Sequence, residues 1–184
     1  MKGVDDLSRR ILHVVFRPSH LAVSRAIANC ISGEHLLVAS NEFDYDSYSA
    51  DQLDDVVFNR IVKVEKPDFR TRKLYDPAEK GKIRKVRESI FLLNREIDTF
   101  NPEFVVIYSD EHILSRMIMS LANSKNILIE DGMVAYRKIG PSERLRRTFK
   151  ERTRDLFWKR ATGFSPISWK GYGKSPHVDV FVKS

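Results

Sequence analysis

The chain has 184 residues, 42% hydrophobic and 10% aromatic, with 32 Lys and Arg against 25 Asp and Glu, a net charge of +7 and one cysteine. This composition excludes a disordered tail, and the lone Cys30 excludes an internal disulfide scaffold and points to a reducing cytoplasm. A chain of this length buries roughly 70% of its unfolded surface without metal or disulfide staples, and no apolar stretch approaches the roughly 18 residues a membrane span requires.

Residues 11–16 (ILHVVF) form a short apolar run that ends at Arg17-Pro18 without a small-residue cleavage site, so it reads as a first strand and not a signal peptide. Residues 21–31 (LAVSRAIANCI) carry apolar side chains at helical spacing, Gly33 stops that helix, and residues 35–39 (HLLVA) are a second apolar run. Strand, helix and strand in this order predict a βαβ unit of a parallel sheet. Residues 40–55 are acidic and read as a loop, residues 59–64 (NRIVKV) as a third strand, and residues 66–82, broken by Pro67 and Pro77, as surface chain. From 81 to 100 the spacing of Ile83, Val86, Ile90, Leu93 and Ile97 predicts a helix, ended by Asn101-Pro102. A buried strand at 104–108 (FVVIY), a helix at 111–123 and a buried strand at 126–129 (NILI) follow. Pro141-Ser142 opens a basic helix to about residue 160, and after a loop with Gly163, Gly171 and Gly173 comes a last strand at 178–182 (VDVFV). The alternation predicts an α/β fold, a Rossmann-like doubly wound parallel sheet, with residues 1–184 as a single domain.

In such a sheet ligands bind beyond the carboxyl ends of the strands, where loops and helix N-termini converge. The candidate positions are Arg17, Ser19 and His20 after the first strand, Ser40 and Asn41 after the second, Ser109 to His112 after the fourth, and Glu130, Asp131 and Gly132 after the fifth. The last group is the sharpest: two carboxylates follow a buried strand, and a glycine lets backbone approach a ligand. A cleft carboxylate can serve as general base on a hydroxyl, and the same three residues also suit a solvated Asp-Gly turn. Ser109 or Asp110 suits the N-cap of the following helix. His13 and His35 lie in strand-like runs and read as buried or edge residues. No GxGxxG, P-loop, GxSxG or Cys/His zinc pattern occurs, and Asp44-Tyr45-Asp46 reads as a solvated loop rather than a metal site.

ILIEDGMVAYRKIG, with VVIYSD one helix upstream and GYGKSPHVDVFV downstream, resembles the N-terminal domain of bacterial sialyltransferases of the GT-B fold. The likeness is to the lipooligosaccharide sialyltransferase family 52 and the capsular polysialyltransferases. Their acidic pair and glycine at a strand end, followed by an aromatic residue, are matched by Glu130, Asp131, Gly132 and Tyr136. The resemblance implies metal-independent, inverting transfer of sialic acid from CMP-sialic acid, with Asp131 or Glu130 as the base and Asp131 favoured. It implies no cofactor and no metal; with Gly132 and Tyr136 from the matched pattern, the strand-end residues Ser19, His20, Ser109 and Asp110 are the candidates to line the site of a glycan acceptor. The His-Pro pattern that these families carry in a C-terminal, nucleotide-binding half does not occur here; Pro176-His177 has the reverse order. The expectation is therefore an acceptor-side domain, inactive alone, whose C-terminal GT-B partner is lost or supplied in trans.

Residues 137–160 carry ten basic side chains against Glu143, Glu151 and Asp155. They read as an anionic-membrane contact on the inner face of the bacterial membrane, as a glycan contact, or as a solvated face, and Leu145, Phe149, Phe157 and Trp158 as an apolar stripe that is core or interfacial. Nucleic acid is not expected, because no reading motif accompanies the charge. Two rival readings stay open: another GT-B transferase of capsule or lipopolysaccharide assembly, and a non-catalytic module that binds glycan or membrane.

Overall fold

The computed structural model describes residues 9–45, 57–65, 77–129, 141–168 and 176–182. Its six strands are β1 (Arg9–Val15), β2 (Gly33–Ser40), β3 (Arg60–Val64), β4 (Phe104–Ile107), β5 (Lys125–Ile129) and β6 (Val180–Val182). They form one sheet in the order β3-β2-β1-β4-β5-β6, with every neighbouring pair parallel. The helices are α1 (Pro18–Cys30), α2 (Pro77–Phe100), α3 (Ile113–Leu121) and α4 (Pro141–Thr162). This is the Rossmann-like doubly wound fold. Among the described residues no helix is long and apolar enough to cross a membrane.

The central strands are apolar almost without interruption because both of their faces are covered. On one face α1, through Leu21, packs with Ile11, Val15, Leu37, Ala39 and Val106. On the other, Ile90 and Leu93 of α2, Leu114 and Met117 of α3 and Trp158 of α4 pack against Leu12, Val14, Leu36 and Val105. Each fully buried leucine here contributes roughly 1.5–3 kcal/mol of transfer free energy.

Several boundaries differ from the expected ones for local reasons. Helix α2 begins at Pro77, inside the stretch expected to be surface chain, since proline in a first turn lacks only an N–H that the helix does not use. It ends as expected: Asn101 turns left-handed at φ 48°, its N–H reaches the Ile97 carbonyl at 2.8 Å, and Pro102 follows. Gly33 does not stop α1, which closes earlier with the Ile31 N–H on the Ile27 carbonyl at 2.9 Å. Gly33 instead starts β2 at φ +152°, opposite Arg9 in the ladder, where a Cβ would collide with the Arg9 carbonyl oxygen. Tyr45, expected in a solvated loop, is buried in the α1-side core, while Asp44 beside it is exposed and Asp46 lies outside the described residues.

The apolar stripe expected on α4 divides. Trp158 is buried in the core and Phe149 is exposed, because nine residues at 100° each place them on opposite sides of the helix. The side chains of Leu145 and Phe157 lie outside the described residues. The buried side of α4 is fastened to α3 by charge. Arg116, fully buried, donates from Nη1 to Glu151 at 3.1 Å, from Nη2 to Asp155, and from Nε to the Ile167 carbonyl at 2.7 Å. Arg154 joins the cluster through Glu151. Burial raises the Glu151 carboxyl above the ordinary carboxylate range, and the Arg154 and Arg116 guanidinium groups offset only part of that rise.

Candidate functional site

The strand order reverses direction between β1 and β4. From β1 the chain leaves to α1 on one face of the sheet, and from β4 it leaves to α3 on the other, so the switch-point crevice of such sheets falls between the two carboxyl ends, where Phe16, His20, Tyr108 and Asp110 are buried. Phe16, Arg17, Ser19 and His20 belong to its β1 side, and Tyr108, Ser109, Asp110 and His112 to its β4 side.

His20 sits in the first turn of α1 and is buried. Its Nδ1 accepts the backbone N–H of Phe16 at 3.3 Å, and its ring lies flat on Tyr108, with centroids 4.5 Å apart and planes 9° from parallel. The Tyr108 hydroxyl shares a 2.8 Å hydrogen bond with the Ser24 hydroxyl, one turn further along α1. Burial raises the Tyr108 phenol to about 12, against a smaller opposing effect of the Ser24 bond, so it stays neutral in the physiological range.

His112 closes the opposite end. Its ring stacks on Phe16 at 3.7 Å, its Nδ1 accepts the Leu114 N–H at 3.3 Å as the N-cap of α3, and its Nε2 donates to Glu42 at 2.8 Å. The expected caps, Ser109 and Asp110, therefore do not cap this helix. They precede it at the end of β4, Ser109 half-buried and Asp110 buried. Asn41 joins the ends of β2 and β3, donating its backbone N–H to the Val64 carbonyl at 3.0 Å and its side-chain amide to Glu65 at 2.7 Å.

One chemical consequence follows for both histidines. A neutral imidazole whose Nδ1 accepts a backbone N–H carries its proton on Nε2. His20 and His112 are thus hydrogen-bond donors at this edge, and neither offers an in-plane lone pair that could take a proton from a ligand.

The structure brings His20, Ser109 and Asp110 to one crevice, with Ser19 exposed at the start of α1. Glu130, Asp131, Gly132 and Tyr136 lie outside the described residues, and β5 ends at Ile129, the residue before Glu130. Tyr108, Ser24, Phe16 and Glu42 were not singled out from sequence. Their pairings link residues 84 and 70 positions apart, for Ser24 with Tyr108 and Glu42 with His112, beyond the reach of any local spacing rule. Among the described residues no group of three or more His, Cys, Asp or Glu side chains is placed to hold a metal ion. Comparison with protein-family models, curated proteins and solved structures finds no match to this chain.

Proposed function

We propose that this chain is the acceptor-side domain of an inverting, metal-independent glycosyltransferase that passes sialic acid from CMP-sialic acid to a hydroxyl of a bacterial surface glycan. The observation that carries the reading is the end of β5 at Ile129, directly before Glu130-Asp131-Gly132 in the chain, on the sheet edge where the two histidines are held as donors. The exposed Ser19 and the half-buried Ser109 suit a polyhydroxylated ligand, with His20 and Asp110 buried beside them. In the reaction the acceptor oxygen attacks C2 of sialic acid while Asp131 or Glu130 takes its proton. The C2–O bond to the CMP phosphate breaks, and CMP leaves with the electron pair. The nucleotide is held by a second domain in this reading.

Sialyl transfer from CMP-sialic acid to a panel of glycan acceptors, by this chain alone and joined to the reading frame that follows it, tests the proposal. Transfer is expected in the joined form, with one of Asp131→Ala and Glu130→Ala lowering kcat at least about 100-fold. Ser19→Ala, at an exposed position at the start of α1, is expected to raise the acceptor KM with a smaller change in kcat. Absence of transfer in every folded form, or full activity in both carboxylate variants, rejects the reading.

A further inference from the structure

We propose that the outer surface of the α2 and α4 layer is a docking surface for an anionic lipid bilayer. This goes beyond the transfer reading and does not depend on it. Helix α4 sorts its charges by face. Glu151 and Asp155 both turn inward, onto Arg116, and Glu151 also onto Arg154, so their negative charge is spent inside the molecule. On the outward side Phe149 and Leu156 are 75% and 71% exposed. They are seven residues apart and share nearly one angular position on the helix. Arg152, Lys159 and Arg160 are exposed around them.

Helix α2 packs beside α4 and repeats the pattern, with Phe91 and Leu92 64% and 57% exposed between the exposed Arg87 and Arg95. Helix α1, on the opposite face, exposes only Val23 as a large hydrophobic side chain. Aromatic and leucine side chains gain by leaving water, while their arginine and lysine neighbours gain by staying near phosphate. A solvated face satisfies only the cations, and so does a nucleic acid backbone. An anionic bilayer satisfies both, because its negative headgroups lie directly above an apolar interior.

Sedimentation of the whole chain with sucrose-loaded vesicles decides the matter. Binding is expected to vesicles of phosphatidylcholine with about one quarter phosphatidylglycerol and not to phosphatidylcholine alone. It is expected to weaken several-fold at roughly 0.5 M NaCl, where charge is screened within a few ångströms. The double variant Phe149→Ser/Leu156→Ser changes only exposed positions, so its circular dichroism and unfolding midpoint should match the parent while its partition coefficient falls about tenfold. Phe149→Trp places a reporter at the same site, and its emission should shift to the blue on anionic vesicles. The proposal is overturned if anionic vesicles do not bind the chain. It is equally overturned if the serine variant binds as tightly as the parent, with or without displacement by duplex DNA, since the surface would then be a general polyanion contact.

Discussion

His13 and His35 face each other inside the sheet, where neither strand needs a polar residue to fold. The Nε2–H of His35 donates to the Ile31 carbonyl at 2.9 Å, which leaves its Nδ1 to accept the Nε2–H of His13 at 3.1 Å. His13 Nδ1 is buried and has no partner among the described residues, and the His13 ring meets that of Phe58 in a T-shaped contact with centroids 5.7 Å apart. Burial, reinforced by repulsion from His35, lowers His13 from its ordinary 6.5 to about 3, so the folded protein keeps it neutral. The sign of the pH dependence follows. Above pH 6.5 both the folded and unfolded chains carry neutral His13, and the stability is complete. Below it the unfolded chain binds a proton that the folded chain refuses, and stability falls by about 1.4 kcal/mol for each pH unit toward pH 3. His13→Gln retains a donor for His35 without a titrating group. Urea midpoints measured between about pH 5 and 6.5, above most carboxylate titrations, are expected to slope less in this variant by the equivalent of one proton. Equal slopes would remove His13 as the cause.

At the scale of elements, hydrophobic spacing made most helices and strands legible, and local chemistry set the margins that it missed. Pro77 looked like a breaker and is a helix start; Gly33 looked like a stop and is a place of close approach between β1 and β2. What spacing could not show is how α3 and α4 are joined. Arg116 stands in a helix otherwise rich in Ile, Leu and Met, and its partners lie 35 and 39 residues away in α4. Removing Arg116 takes from Asp155 the guanidinium it pairs with and leaves Glu151 to Arg154. Arg116→Met is therefore expected to destabilise the fold by about 3–5 kcal/mol in urea unfolding. The triple variant Arg116→Met/Glu151→Leu/Asp155→Leu removes the charges together, and most of that loss should return, because Arg154 is partly exposed and can turn to water. A triple variant no more stable than Arg116→Met would show that the cluster is more than a satisfied set of charges.

For the whole molecule, the order of apolar runs was enough to predict a doubly wound parallel sheet, since crossover connections and continuous burial leave few alternatives. The crevice was legible only as a set of strand ends. The contacts that build it, the stack of His20 on Tyr108 and the bridge from His112 to Glu42, depend on which strands become neighbours. Neighbour order also explains a difference between the two sides of the sheet. The β3 edge carries the exposed charges of Arg60 and Lys63, which discourage pairing with another chain. The β6 edge exposes Val180, Phe181 and Val182, and among the described residues β6 pairs with β5 alone. An exposed apolar edge without charge on its own residues is a template for strand addition, and the three-residue length of β6 keeps that pairing weak. This chain is therefore expected to self-associate as its concentration rises, through β6 and not β3. Phe181→Lys places a charge on that edge, and light scattering should then show a smaller increase in particle size with concentration. Because Phe181 is already exposed, the unfolding free energy should move by no more than about 0.5 kcal/mol. Unchanged association in Phe181→Lys, with the fold intact, would assign the contact to another surface, and the exposed helices α2 and α4 would be the next to substitute.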